Sequence, residues 1–348
     1  MFLQLIMKQH QNKHISKTSR WKKLGLMLCV LPNLVLAQED IILFHNCENL
    51  FYPLNDSITE DDDFTAEGKK HWTFKRYNNK LNALAKTYIA VDEKTLPSII
   101  GLAEVENDEV LKALTQATVL RKAGYKFIHY PSKDIRGIDV ALLYNPKRFT
   151  VKEHYVLPSI SDKQTDRTRD VLYIEGTLNK LDLCIYVVHA PSRRENNIKK
   201  KLRHNIFSQI YNHIDSLRKG GKENFIVMGD FNDNPWDKTV EKGFCLKDTI
   251  NNSTPFLKNL MYANKNQTGS YVYSGSYLSF DQFIVTKSVE ERLLYDEVFT
   301  RSHIFKPSFL VKNDKSYAID IPFSTYKGYY YQGGISDHFP IIMKLKTD

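Results

Sequence analysis

The chain has 348 residues, 42% hydrophobic and 12% aromatic, with 49 Lys and Arg against 40 Asp and Glu and a formal net charge of +9. This composition excludes a disordered chain and provides for a sizeable core, in one large domain or two ordinary ones. Residues 1–37 hold six of the cations and no acid, so the rest carries only +3, which excludes strong electrostatic capture of nucleic acid by net charge alone.

In chain order, the first element is a basic stretch, Lys8 to Lys23, followed by an apolar run from Leu24 to Ala37. A basic stretch, a short apolar run and a small residue form the pattern of a secretory signal. Pro32 and Asn33 break the run, which is too short to span a bilayer comfortably. The expectation is cleavage after Ala37, export to the periplasm, cell envelope or exterior, and a single domain over 38–348 with no transmembrane segment. Cys29 leaves with the signal. Cys47, Cys184 and Cys245 have no close spacing, so neither a disulfide framework nor a zinc site is expected. Cys184 sits in a strand pattern as a small core residue.

Runs rich in Val, Ile, Leu, Phe and Tyr predict strands at 41–46, 98–102, 140–144, 171–178, 183–188, 225–228, 282–286 and 341–345. Three helices intervene, at 76–91, 108–123 and 196–218, each apolar on one stripe and so expected on the outside of a sheet. Segments 53–71 and 246–279 lack periodicity and read as long loops. No repeat, low-complexity block or linker divides the chain.

The polar residues fall at strand ends. Ile42-Leu-Phe-His-Asn46-Cys-Glu48 ends in an amide and a carboxylate, Ile99–Glu104 in a carboxylate, Ile185–His189 in an imidazole, and Phe225–Asn232 in Gly-Asp-Phe-Asn. Two segments invert the order: Phe280-Asp281 and Ser336-Asp337-His338 precede their strands. A strand running the opposite way starts where its neighbours end, so all of these groups can gather at one edge of a mixed sheet. Carboxylates sharing a site repel one another, and a hard divalent cation removes that cost. Glu48, Glu104, Asp230, Asp281 and Asp337 therefore predict Mg²⁺ or Mn²⁺ and a phosphorylated substrate.

These segments, with Arg136-Gly-Ile-Asp-Val-Ala-Leu-Leu-Tyr144 and Val188-His-Ala-Pro-Ser-Arg193, resemble the endonuclease/exonuclease/phosphatase superfamily in family order from about residue 41 to 345. The resemblance implies an α/β fold: a four-layer αββα sandwich of two packed mixed sheets with helices on the outer faces. It implies that Glu104 is the principal metal ligand, with Asn46, Glu48 and Asp337 as further metal-site residues. It further implies that Asp281 orients His338, and that Asp230 and Asn232 flank the scissile phosphate. His189 corresponds to a phosphate-binding or acid-catalytic histidine. The stretch after His189 departs from the pattern, since Ala190 stands where related secreted proteins carry Trp.

Other cations have plainer readings. Arg193 follows His189 closely and is a candidate phosphate ligand. Arg136 and Arg169 are expected to pair with Asp139 and Asp170. Lys199-Lys-Lys201 reads as a solvated helix face, and Tyr329-Tyr-Tyr331 as a strand packed on one side rather than a platform for bases. The expected activity is phosphodiester hydrolysis by a secreted nuclease acting on DNA or RNA. A phosphatase or phosphodiesterase on a nucleotide, phosphoinositide or sphingomyelin is the alternative. A catalytically dead binding module is the third reading, and the complete acid set argues against it. No obligate protein partner is expected.

Overall fold

The apolar runs do form strands, and they divide between two sheets. The computed structural model describes residues 38–159, 168–193, 196–247, 255–264, 268–294 and 302–347. The expected signal at 1–37 lies outside the described residues, and Ala37–Asp348 forms one compact unit. The sheet strands are β1 (Gln38–Leu50), β2 (Ile99–Val105), β3 (Lys126–His129), β4 (Asp139–Tyr144), β5 (Phe149–Leu157), β6 (Val171–Leu178), β7 (Leu181–His189), β8 (Phe225–Asp230), β9 (Leu257–Asn259), β10 (Asp281–Thr286), β11 (His303–Ile304) and β12 (Ile341–Thr347). The first sheet runs β11-β12-β1-β2-β4-β3 and the second β5-β6-β7-β8-β10-β9, each mixed and six-stranded.

Burial defines four layers. Leu172, Ile174, Ile185, Val187, Ile226, Met228 and Phe283 of the second sheet share one core with the first sheet. The sheets approach closely there: a Cβ on Gly101 of β2 would lie 2.9 Å from the Met228 side chain of β8. Helix α1 (Phe74–Ile89) buries Tyr77, Leu81, Leu84 and Tyr88, and α2 (Asp108–Gln116) buries Val110, Leu111 and Leu114, in that same core. The alternate residues Tyr173, Cys184, Tyr186, Phe225 and Val227 face a second cluster built with Ile206, Phe207, Ile210 and Ile214 of α3 (Asn196–Lys219). The alternation of strand side chains thus feeds two separate cores. Cys184 is the core residue expected, and Cys47, Cys184 and Cys245 are free thiols.

Three expectations need correction. Segment 246–279, expected as a loop, contains β9, which pairs antiparallel with β10. The helix expected over 108–123 stops at Gln116, because Thr118 leaves helical geometry and caps a separate 3-10 turn, Val119–Lys122, through its hydroxyl. The polar strand ends gather between two sheets rather than along one. Asn46, Glu48, Glu104, Asp337 and His338 belong to the first sheet and its approaches, and His189, Asp230 and Asp281 to the second. The inverted polarity holds within each: β12 pairs antiparallel with β1, and β10 antiparallel with β8. No described helix is long and apolar enough to cross a membrane.

Candidate active site

The site forms where four parallel-running strand ends meet two antiparallel strand starts. β1 and β2 run parallel, as do β7 and β8, so Asn46, Glu104, His189 and Asp230 arrive at one end of the sandwich. Both strands of the first sheet bulge on arrival. The β1–β2 register shifts between Asn46 and Leu50, and the β2–β4 register between Ala103 and Val105. Glu48 (φ 51°), Glu104 (φ 60°) and Asn232 (φ 51°) all take the left-handed conformation. That conformation costs a non-glycine residue on the order of 1–2 kcal/mol, and bulges beside active sites re-aim side chains. Asn49 (φ 52°), beside Glu48, takes the same conformation.

In Gly-Asp-Phe-Asn the glycine is a steric requirement, since a Cβ on Gly229 would lie 2.0 Å from the Val188 carbonyl oxygen. Asp230 Oδ1 then accepts the Asn232 N–H at 2.8 Å, and Asp230 Oδ2 accepts the Asn46 amide at 3.0 Å. The same Asn46 Nδ2 lies 3.4 Å from Glu104 Oε1, and Glu104 Oε2 accepts the Asn49 N–H at 2.8 Å. Asn46 therefore ties Glu104 of the first sheet to Asp230 of the second. His189 Nε2 lies 3.8 Å from Glu104 Oε1 and 3.7 Å from Asp230 Oδ2, and its buried Nδ1 has no protein partner.

His338 is held from three sides. Its Nδ1–H donates to Asp281 Oδ2 at 2.6 Å, its main-chain N–H to Ser336 Oγ at 3.1 Å, and its carbonyl accepts from His45 Nε2 at 3.2 Å. The Ser336 hydroxyl in turn donates to the Asn46 carbonyl at 2.6 Å. The free Nε2 points at Asp230 Oδ2, 3.8 Å away. Tyr271 covers the ring, with centroids 4.7 Å apart. Although burial opposes its charge, Asp281, Asp230 and Asp337 together hold the His338 imidazolium well above the usual histidine range. Burial takes His189 well below that range, with Arg169 and Arg136 adding to the effect. The two histidines are thus shifted in opposite directions on either side of one carboxylate.

The acids show the expected crowding. Burial pushes Asp230 up to about 6, with the Asp281 charge reinforcing and His338 opposing it. Asp337 rises to about 6 by burial and by repulsion from Glu104 and Asp230, and Glu48 to about 7 by burial and Asp337. The donor set of Glu104, Asp337, Glu48 and the Asn46 amide is all oxygen, which fits a hard divalent cation rather than zinc. Glu48 is the least available of the four. Its carboxylate already accepts the N–H groups of Thr325 at 2.6 Å and Tyr326 at 3.0 Å. Asp230, Asp281 and His338 also offer ligand atoms within 4.8 Å of one another. Within that trio the short bond is the one from His338 Nδ1 to Asp281 Oδ2.

Several site residues went unforeseen. Lys80 is buried beneath the acids, donating to the Glu48 carbonyl at 2.5 Å and to Thr325 Oγ1 at 2.7 Å. Its signal was present, since it shares the apolar stripe of α1 with Tyr77, Leu81 and Leu84. Arg169 does not pair with Asp170, nor Arg136 with Asp139: both guanidinium groups turn to Asp134, at 2.7 Å and 3.7 Å. Arg169 also donates to the carbonyls of His189 and Ala190. The Ala190 oxygen accepts the Asn232 amide at 3.0 Å as well, so this backbone carries a tie to the site where a Trp side chain was the family pattern. Arg193 donates to the Asn232 carbonyl at 2.9 Å and to Asp237 at 2.5 Å, beside rather than within the acid cluster. Tyr330–Tyr331 forms a two-residue strand, but Tyr329 and Tyr330 are exposed rather than packed. Trp72 packs in the core.

The comparisons with known proteins agree with this geometry. The sequence signature of the Endonuclease/Exonuclease/phosphatase family matches residues 41–347. No curated protein matches the chain. Among solved structures, an endonuclease/exonuclease/phosphatase family protein from Bacteroides thetaiotaomicron superposes with a TM-score of 0.56 at 17% identity, covering 89% of this chain and 96% of that one. A mannosyl-6-phosphatase from the same organism gives a TM-score of 0.55 at 15% identity, covering 87% and 98%. D. rerio TDP2 complexed with single strand DNA product gives 0.50 at 14% identity, covering 89% and 99%. With its signature spanning the whole sandwich and the strand-end acids brought together between two mixed sheets, the chain belongs to the endonuclease/exonuclease/phosphatase family and is a phosphoester hydrolase.

Proposed function

We propose that this protein is a secreted, Mg²⁺-dependent (or Mn²⁺-dependent) phosphodiesterase acting on nucleic acid. The observation that carries the chemistry is the Asp281–His338 hydrogen bond of 2.6 Å, which aims Nε2 at Asp230 beside the oxygen-rich cluster of Glu104 and Asn46. The leader-like residues 1–37 are the support for secretion.

Asp281 fixes the tautomer and orientation of His338, as the carboxylate does in other His–Asp pairs. Attacking water is held between the His338 Nε2–H and Asp230 Oδ2, and its proton passes to the Asp230 carboxylate as the new P–O bond forms. The bond to the leaving oxygen breaks on the opposite side of phosphorus. The Asn232 amide and the neutral His189 ring supply hydrogen bonds to non-bridging oxygens. Glu104, Asp337, Asn46 and the less available Glu48 would hold the cation, which supplies charge stabilisation to the phosphoryl and leaving oxygens when bound.

An extended substrate is favoured over a small one by what borders the site. On the Asp281 side, a cavity of 430 Å³ lined by Gly269, Tyr277 and Lys306 begins next to Ser270, whose hydroxyl accepts the Asp281 N–H. On the Asn232 side, a cavity of 570 Å³ begins at Arg193 and Asp233. A chain with phosphates and bases on both sides of the scissile bond occupies such a surface. Screening the purified protein against single-stranded DNA, RNA, nucleotides and phosphoinositides tests this reading. Cleavage of the polymers supports it, and turnover confined to lipid or mononucleotide substrates rejects it.

A further inference from the structure

We propose that a basic track leading away from Asn232, formed by Lys200, Lys201, Lys238 and Lys242 with Trp236 as an aromatic wall, binds the backbone phosphates that flank the scissile one. This rests on the nucleic-acid reading above and names the part of the surface that holds the strand.

The track begins at the site. Arg193 Nε donates to the Asn232 carbonyl, and its guanidinium forms one wall of the 570 Å³ cavity. The acids in that wall are already engaged. Arg203, itself buried, takes Asp233 through two bonds at 2.6 Å and 3.2 Å, and Arg193 takes Asp237 at 2.5 Å. Lys200 and Lys238 line the same cavity from opposite elements, α3 and the short helix Lys238–Gly243. Both residues also border a second, adjoining cavity of 280 Å³. Its remaining walls are Lys201, His204, Thr239 and Lys242, and no acid lines it among the described residues. Lys200, Lys201, Lys238 and Lys242 are all exposed.

Lys200 on α3 and Lys238 and Lys242 on the short helix carry like charges, which repel one another, so an anion that joins them is bound favourably. A single small phosphate needs one such site. Two adjoining cavities that continue outward from the scissile position suit an anion that repeats, namely a nucleic-acid strand. The half-buried Trp236 lines the larger cavity, and an aromatic side chain in such a place suits an unstacked base of any sequence.

The test separates binding from cleavage. Fluorescence anisotropy in EDTA measures binding of a fluorescein-labelled single-stranded DNA of about 20 nucleotides to wild type and to the Lys200→Glu/Lys238→Glu variant. The track predicts at least ~10-fold weaker binding in the variant, with a salt dependence shallower by about 0.7 for each phosphate that is no longer neutralised. Turnover of bis-p-nitrophenyl phosphate, which has no flanking phosphates, keeps its wild-type value and shows that the variant is folded. Equal binding by wild type and variant overturns the track, as does failure of the wild type to bind the oligonucleotide. Track-dependent binding without cleavage in Mg²⁺ upholds the track and rejects the nuclease reading instead.

Discussion

Asp281 lies directly opposite Asp230 across the antiparallel pairing of β10 and β8, yet only Asp281 hydrogen-bonds the Nδ1 of His338, while Asp230 faces the Nε2 at 3.8 Å. Two acids brought together by strand register thus address the two nitrogens of one ring. His338→Gln and Asp281→Asn are each expected to lower kcat by at least ~100-fold, the scale of a lost general acid–base group. The double variant should fall little further, because the two act as a unit. Steady-state rates on bis-p-nitrophenyl phosphate check this. Additive losses would show that Asp281 acts independently of the ring.

Cation binding has a readout apart from activity. A ligand that binds only the folded state raises stability by about 2.7 kcal/mol at a hundredfold excess over its dissociation constant. Mg²⁺ is therefore expected to raise the Tm of the wild type. Glu104→Gln should remove most of that rise, since its carboxylate adjoins Asn46 and approaches His189 at the centre of the cluster. An unchanged Mg²⁺-induced shift in the variant would place the cation elsewhere.

Lys80 is expected to matter for folding as well as for the site. Its removal leaves the Glu48 carbonyl and Thr325 hydroxyl without their donor and strips the nearest buried cation from Glu48. Breaking a buried charge arrangement from one side costs roughly 3–5 kcal/mol. Lys80→Met should show such a loss in denaturant unfolding, and Lys80→Met/Glu48→Gln should recover part of it. No recovery would mean that Lys80 serves only the backbone carbonyl and hydroxyl.

Arg169 joins Asp134 to the carbonyls of His189 and Ala190, with both charged side chains almost wholly buried. Arg169→Met strands Asp134 and frees the His189 backbone, so a stability loss of about 3 kcal/mol or more is expected. Asp134→Asn in the same background should relieve some of that loss. Thermal denaturation of the three proteins measures it.

His129 offers a pH-dependent contribution away from the acid cluster. Burial opposes its charge, but Asp139 at 3.3 Å and Asp108 at 2.9 Å outweigh burial and raise its pKa. A raised folded pKa gives stability that is complete below the unfolded histidine value and is lost as pH rises through the folded one. The Tm difference between wild type and His129→Gln should therefore be larger near about pH 6 than near about pH 9. A difference that grows with pH would contradict the pairing.

Much of this was legible in the sequence. Strand runs such as Ile41–Asn46 and Phe225–Met228 lie within the observed β1 and β8, and the polar residues that end them do come together. The inversion of order at Asp281 and Ser336-Asp337-His338 correctly signalled antiparallel strands. Periodicity does not say which sheet a strand joins, so the apparent single edge became a seam between two sheets. Nor does residue type reveal backbone conformation: the left-handed Glu48 and Glu104 are products of bulges set by neighbouring strands. Arg169 took Asp134 instead of its sequence neighbour because its guanidinium is needed at the carbonyls that follow β7.

The most direct measurement is hydrolysis of bis-p-nitrophenyl phosphate by the purified protein in Mg²⁺, after chelation by EDTA, and after Mg²⁺ is restored. The geometry of Glu104, Asn46, Asp337, Asp230 and His338 predicts turnover that falls to background on chelation and returns with the ion. Turnover that persists at full rate in EDTA would contradict it.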